Sequence, residues 1–315
     1  MKSYFFLGRA GLLLAFTCLG LSSGFAQSII TTYAGGGARV VNGTQAVTQN
    51  IGGPLAVASF NSGEFYFTNS EGVYRVASDG TLTVIAGDGV VGFSGDGGPA
   101  VSARLSYPTA LAQDGMGNLF IADTGNHRIR KITSDVIINT VAGGMQGFGD
   151  GGPAILAGLS YPSGIAVDGM GNLFIADTGD LSIRKVTPDG IIRTVAGNGD
   201  DIFNGDGRLA TTASLAYPSG IALDTDGSLF IADSGHSRIR RVTTTGIITT
   251  VAELARTDEN ARVNSAALAA DNAGNLFVPN ASNRTWKVAS GGTPAPFAGT
   301  GTDGFSGDGG LATAA

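Results

Sequence analysis

The sequence predicts an all-β chain built as a β-propeller, a ring of four-stranded antiparallel blades. Three observations carry that expectation. The stretch Tyr161–Gly197 recurs as Tyr107–Gly143 and as Tyr217–Ala252, which puts Tyr107, Tyr161 and Tyr217 at intervals of 54 and 56 residues. A fixed period near fifty marks a repeat architecture, in which each copy buries its apolar face on the next. Within each copy, four short apolar runs alternate with turn residues; in the central copy the runs are Gly164–Val167, Leu173–Ala176, Ile183–Val186 and Ile191–Val195. The joins between them are rich in Asp, Gly, Pro and Asn, which supply positive φ, a fixed φ or a local side-chain bond. Finally, 51 glycines with 43% hydrophobic and 14% charged residues describe a turn-dense chain that still has a core. No window carries the 3.6-residue period of a long helix.

Taken in order, residues 1–26 read as a secretory signal peptide. Lys2 and Arg9 form a positive start, Ala10–Leu21 an apolar centre, and Gly24-Phe25-Ala26 offers small residues for cleavage. The apolar centre is short for a membrane span. The expected location is therefore exported: secreted, periplasmic or cell-surface. Cys18, the only cysteine, lies inside this segment, so the mature chain has no disulfide and relies on a large core.

The propeller is expected over 27–315. Ser28–Gly35 matches the fourth strand of a copy, as in Gly246–Ala252, and is read as an orphan outer strand, 28–35, that completes the last blade and removes an unpaired edge. Blades are expected at about 54–87, 108–143, 162–197, 218–252 and 266–299. The first copy is divergent, with strands at Leu55–Phe60, Glu64–Thr68, Gly72–Val76 and Thr81–Ala86. The fifth runs from Ala266–Ala270 through Asn275–Val278, Arg284–Val288 and Pro294–Gly299.

Between copies stands a second recurring element, Gly92–Ala100, repeated at Gly147–Ala154, more weakly at Ile202–Ala210, and at Gly304–Ala312. It reads as a Gly-rich turn followed by one helical turn whose Leu caps the inter-blade core. Glu253–Val263 replaces it before the fifth copy. The linker 304–315 is followed in this pattern by another Tyr-Pro copy, so five visible copies and the orphan strand lead to the expectation of a sixth blade when complete.

Without Lys2 and Arg9, 17 basic side chains face 25 acidic ones, a mature net charge of −8. That balance opposes a phosphate backbone, so nucleic acid is excluded as a partner. No second apolar stretch is long enough to anchor the chain after signal cleavage. His127 and His236 are the only histidines and sit one step out of register between copies, so they read as exposed turn residues and not as a metal pair. Asp114, Asp168, Asp224 and Asp271 end first strands, and Asp123, Asp177 and Asp233 end second strands, with Asn69 and Asn280 in the outer copies. A ring of carboxylates suits calcium at an axis. The preferred reading is structural, because each Asp starts a turn and accepts backbone N–H bonds there; no cofactor is identified. Arg128 and Arg130 share one face of an alternating third strand and read as blade-surface polar residues. Trp286 is assigned to packing between blades. Tyr107, Tyr161 and Tyr217 each precede Pro, where extended backbone is favoured; they either edge a binding platform or pack between blades. With His127 and His236 they form the candidate binding surface.

The pattern Tyr-Pro-x-Gly-Ile-Ala-x-Asp, followed by Gly-Asn-Leu-Phe-Ile-Ala-Asp-Thr-Gly-Asn-His-Arg-Ile-Arg-Lys, resembles the NHL-repeat family over about residues 28–315. The linkers typified by Gly92–Ala100 are similar to those of a bacterial exported group and of the teneurin-type NHL domain. Asn126-His127 gives the namesake pair in the second copy; the third and fourth have Asp180-Leu181 and His236-Ser237. The resemblance implies a β-propeller that binds an extracellular protein or ligand, or serves as a scaffold, without catalysis. The alternative it implies is a lyase- or lactonase-type propeller with a metal in its channel.

Overall fold

Each period-two run bounded by Gly, Pro and Asp becomes a strand. The structure is a computed structural model and describes residues 2–7, 12–17, 38–39, 42–60, 63–253, 267–271, 273–280, 283–289, 293–302, 307 and 310–315. Blade 1 comprises Ala56–Ala58, Phe65–Thr68, Val73–Val76 and Thr81–Ala86. Blade 2 comprises Pro108–Gln113, Leu119–Asp123, Arg128–Ile132 and Ile137–Gly143. Blade 3 has Pro162–Val167, Leu173–Asp177, Ser182–Val186 and Ile192–Ala196. Blade 4 has Pro218–Leu223, Leu229–Asp233, Arg238–Val242 and Ile247–Glu253. Blade 5 has Ala269–Ala270, Leu276–Asn280, Arg284–Val288 and Pro294–Ala298. Within every blade the strands pair antiparallel in chain order, and first strands of successive blades touch one another. The first strands are therefore the inner ones.

Among the described residues, four strands is the count for blades 3 and 5 but not for the rest. Thr44–Gln45, Gly98–Pro99 and Arg208–Leu209 add a fifth strand outside blades 1, 2 and 4. In blade 3 the same linker position makes a single bridge, Pro153 to Ile191. The linkers are thus more than turns: they cover the exposed outer edge of the blade that follows, where unpaired N–H and C=O groups would otherwise lie open. The orphan strand expected at 28–35 lies outside the described residues, as does the whole stretch 254–263. Lys2–Leu7 and Leu12–Thr17, within the expected leader, pair as an antiparallel ribbon.

The core sits between blades. Ala122, Ile129 and Ala142 of blade 2 pack on Ile165, Ile175 and Ile192 of blade 3, and equivalent clusters join blades 1 to 2, 3 to 4 and 4 to 5. Each linker contributes one 3₁₀ turn, at Ala100–Ser102, Ala154–Leu156 and Ala210–Thr212. The Leu that follows, Leu105, Leu159 or Leu215, is buried as the cap of that core. Trp286 packs against the cluster joining blades 4 and 5, the inter-blade place the sequence assigned to it.

Close approach of the inner strands sets one sequence requirement. A methyl group built on Gly164 would collide with the Ser219 carbonyl oxygen of blade 4. Blade 2 carries Ala110 at the same step, so the constraint belongs to the junction of blades 3 and 4. Gly164→Ala is expected to lower the unfolding free energy by about 1–3 kcal/mol, the cost of overpacking, as a shifted urea midpoint. An unchanged midpoint would mean that these two blades can part without loss.

Candidate functional site

Two faces can be told apart from local geometry. The linker segments, the 3₁₀ turns Thr124–Asn126, Thr178–Asp180 and Ser234–His236, and the Tyr-Pro entries lie together: the Gly125 and Gly179 amides donate to the Ser106 and Ser160 carbonyls, and Asn126 donates to the Gly92 carbonyl at 2.7 Å. The hairpins joining first to second strands and third to fourth strands lie at the other ends of the strands.

Tyr107, Tyr161 and Tyr217 stand on the linker face, 54%, 58% and 51% exposed. They do not pack between blades. Their backbone is not extended either, contrary to the expectation for a residue before Pro: φ is +47°, +49° and +49°. The chain bends sharply there because the residue before each Tyr is fixed. The Ser106, Ser160 and Ala216 amides donate to Asp123, Asp177 and Asp233 at 2.8, 2.7 and 2.7 Å. A left-handed conformation at a bulky residue costs of order 1–3 kcal/mol each and persists only where the surroundings impose it.

The structure joins one candidate histidine to the arc. The Tyr161 amide donates to His127 Nδ1 at 3.1 Å, and the two rings meet edge to face with centroids 4.5 Å apart. His236 is elsewhere and is no exposed turn residue. Its Nδ1 lies 2.9 Å from Asp233 and its Nε2 2.8 Å from the Asp201 carbonyl oxygen, which is the bridge Asn126 makes in blade 2 between Asp123 and Gly92. The two histidines therefore have separate partners. Inner-strand hydroxyls are committed to neighbours: Thr109 meets Thr124 at 2.6 Å and donates to the Ser163 carbonyl, and Ser163 repeats this with Thr178 and Ser219.

The recurrent acids are structural. Asp168 Oδ1 accepts the Met170 and Asn172 amides while Oδ2 accepts the Asn172 side chain, and Asp114 and Asp271 do the same in their hairpins. Among the described residues no group of three or more His, Cys, Asp or Glu is placed to hold a metal ion.

The largest departure from the sequence reading is at the third strands. Arg130, Arg184 and Arg240 are fully buried, not on a blade surface. Each guanidinium joins the Asp that ends its own second strand to an Asp of the preceding linker. Arg184 lies 3.3 Å from Asp177 and 2.6 Å from Asp150; Arg130 pairs with Asp123 and Asp96, and Arg240 with Asp233 and Asp206. The linker phenylalanine roofs the site, with Phe93, Phe148 and Phe203 rings 4.9, 5.4 and 5.0 Å from those guanidinium carbons. Gly95 is required beneath this roof: its φ is +91°, and a Cβ there would strike Ala103.

The end blades dispense with the charges together. In blade 1 the three steps are Asn42, Asn69 and Tyr74, and Asn69 donates to the Tyr74 hydroxyl at 3.2 Å while Asn42 accepts the Val84 amide. In blade 5, Trp286 stands at the Arg step and Asn280 at the Asp step. The signal was present in the sequence: the Asp of the Gly-Asp-Gly linkers ahead of blades 2, 3 and 4 is followed 34 residues later by Arg130, Arg184 and Arg240.

Burial pushes the Asp177 carboxyl up to about 7; the Ser160 amide opposes this, Asp180 adds to it, and Arg184 pulls it down. Asp180 replaces Asn126, which in blade 2 donates to Asp123; burial still raises Asp123. Burial also works against ionisation of Asp150 and Asp206, but the Thr194 and Thr250 amides and the Arg partners outweigh it and hold both below the usual carboxylate range. Between about pH 4 and 7 the folded chain keeps a proton on Asp177 that the unfolded chain gives up, so stability falls as pH rises through that window. The linker acids act oppositely: their contribution is present above the unfolded value near ~4 and is lost as pH falls through their lower folded values. Melting temperature should thus peak at weakly acidic pH, with Asp177→Asn flattening the alkaline limb. A melting temperature that climbs steadily from pH 5 to 8 would contradict this assignment.

The model of the teneurin NHL domain matches residues 144–204 and 198–272, and that of the NHL repeat matches 105–132. Residues 105–132 are thus NHL-like, and residues 144–272 resemble the teneurin NHL domain. Mouse teneurin-1 is 29% identical over 228 residues and mouse teneurin-4 is 31% identical over 229, each covering 64% of this chain. The chain spans 8% of the length of those teneurins. Among solved structures, a chain of the nidogen/laminin complex superimposes with a TM-score of 0.61 at 16% identity, covering 91% of this chain and 88% of its own. Virginiamycin B lyase from Staphylococcus aureus gives 0.52 at 18%, covering 79% and 70%. At such identities the likeness is one of fold. No helix among the described residues is long and apolar enough to cross a membrane.

Proposed function

We propose that this NHL-repeat propeller is an exported binding module whose linker face engages a protein partner through Tyr107, Tyr161 and Tyr217. The observation that carries the reading is the arc itself: three half-exposed tyrosines on successive blades, each in left-handed backbone that glycine would occupy at lower cost. Exposed large aromatics grouped on one face are the composition of interaction hot spots. Arg128 and Arg238 stand on the same face, stacked on Phe93 and Phe203 at 3.6 and 3.8 Å. The superposition on a chain of the nidogen/laminin complex supports the same class of function.

Glycine substitution separates binding from folding. Tyr217→Gly relieves the backbone and should raise unfolding stability by up to about 1 kcal/mol, whereas an Ala would keep the strain. In a display selection of protein fragments on the wild-type chain, most independent binders should compete with one another. They should also lose at least about tenfold in affinity on the chain carrying Tyr107→Gly, Tyr161→Gly and Tyr217→Gly. Binders indifferent to the triple change would overturn the assignment. So would chelator-sensitive turnover by the wild-type chain, which belongs to an enzyme.

A further inference from the structure

On the hairpin face, between blades 3 and 4, lies a groove of about 820 Å³, within the range of small-molecule sites. Its blade 3 wall sets apolar Met170, Phe174 and Val195 beside Lys185 and Asp168; the opposite wall carries Thr211, Thr225 and Thr244 with Asp224 and Asp226. The repeat explains the opening. Where blade 4 and its linker place Thr211, Asp226 and Thr244, blade 3 and its linker carry the bulkier or apolar Ile155, Met170 and Pro188. Phe120 and Phe230, the counterparts of Phe174, are 7% and 6% exposed, whereas Phe174 is only half-buried.

Charge narrows the occupant. Lys185 lines the groove, its ammonium 5.4 Å from the Phe174 ring centre, and its cross-strand partner is Arg193. Like charges directly opposite destabilise a strand pair. The other blades avoid this: the equivalent residue is Thr83, Asn139, Thr249 or Ala295. Arg75 and Arg241, at the Lys185 step of their blades, have Glu64 and Asp226 as counter-ions; Lys185 has no ion pair among the described residues. Of the acids lining the groove, Asp226 is paired with Arg241, while Asp168 accepts three amide hydrogen bonds and Asp224 the Thr225 amide; Asp189, near Arg193, accepts the Thr187 hydroxyl.

We propose that this groove binds an amphipathic carboxylate, with its head at Lys185 and Arg193 and its apolar body against Met170, Phe174 and Val195. This site is independent of the tyrosine arc. Dodecanoate is a suitable probe, titrated calorimetrically below its aggregation concentration. Saturable binding is expected, weakened at least about tenfold by Lys185→Met with Arg193→Gln, and blocked by Thr211→Ile with Thr244→Pro, which restore the side chains of the preceding repeat. Thermal unfolding of both variants should stay cooperative. Dodecanol should bind more weakly than dodecanoate and should not distinguish Lys185→Met with Arg193→Gln from wild type. Absence of saturable binding to the wild type, indifference to both variants, or equal affinity for dodecanol would each overturn the proposal.

Discussion

Ile175→Asp should leave no folded blade 3 and little soluble protein. Ile175 is completely buried in the cluster shared by blades 2 and 3. Losing that burial costs about 1.5–3 kcal/mol, and placing a carboxylate there adds several more. Arg184, directly across the strand, offers no rescue, because it already serves Asp150 and Asp177. The total approaches the whole stability of an ordinary domain, roughly 5–15 kcal/mol. In a repeat fold, stability is carried by interfaces between neighbours, so the damage reaches blade 2 as well. Soluble yield and far-ultraviolet circular dichroism measure the outcome, with Ile175→Val as the mild control at about 0.5–1.5 kcal/mol. Normal yield and melting temperature for the Asp variant would remove Ile175 from the core.

Arg184→Met is the second large effect. Above pH 7, where Asp177 is ionised, it strips the counter-ion from buried Asp177 and half-exposed Asp150, and breaking a buried pair in this way costs about 3–5 kcal/mol. The variant should unfold at markedly lower denaturant concentration. The informative companion is the set Asp150→Asn, Asp177→Asn and Arg184→Tyr, which copies the neutral trio of blade 1. If the charges act as a unit, the triple variant regains most of the loss, since replacing all members of a buried ionic group is far milder than removing one. A triple variant less stable than Arg184→Met would show that the trio is held by more than its own charges.

These two residues also show how much the sequence discloses. Ile175 is legible as core because alternation and burial follow from local pattern: an apolar residue in Leu-Phe-Ile-Ala-Asp, bounded by turns, must face something. Arg184 is not legible that way. Alternation places it on a face, and the default for Arg is solvent; what buries it is a linker Asp 34 residues upstream and a phenylalanine roof, both non-local. Only comparing copies, including those that lack Asp and Arg together, reveals the dependency. The tyrosines were legible as a repeated feature but not in conformation. The rule for a residue before Pro favours extended backbone, and tertiary anchoring of the preceding amide on Asp123, Asp177 or Asp233 overrides it. The linker strands were missed because two residues such as Gly98-Pro99 carry no strand propensity; they pair because an outer edge is waiting for them.

The reach of each linker acid also fixes what a heritable repeat must be. Asp96, Asp150 and Asp206 belong to the segment ahead of the blade whose arginine they meet. A duplication cut at Tyr-Pro would copy the arginine but not that upstream acid, leaving the new guanidinium dependent on whichever linker it landed beside. A duplication cut at the linker glycine carries acid, roof and arginine as one inherited block. Gain or loss of copies in such genes should therefore fall at the linker glycines, and a blade whose linker has lost the Gly-Asp-Gly acid should have lost its arginine too, as blade 5, preceded by Glu253–Val263 and carrying Trp286, has.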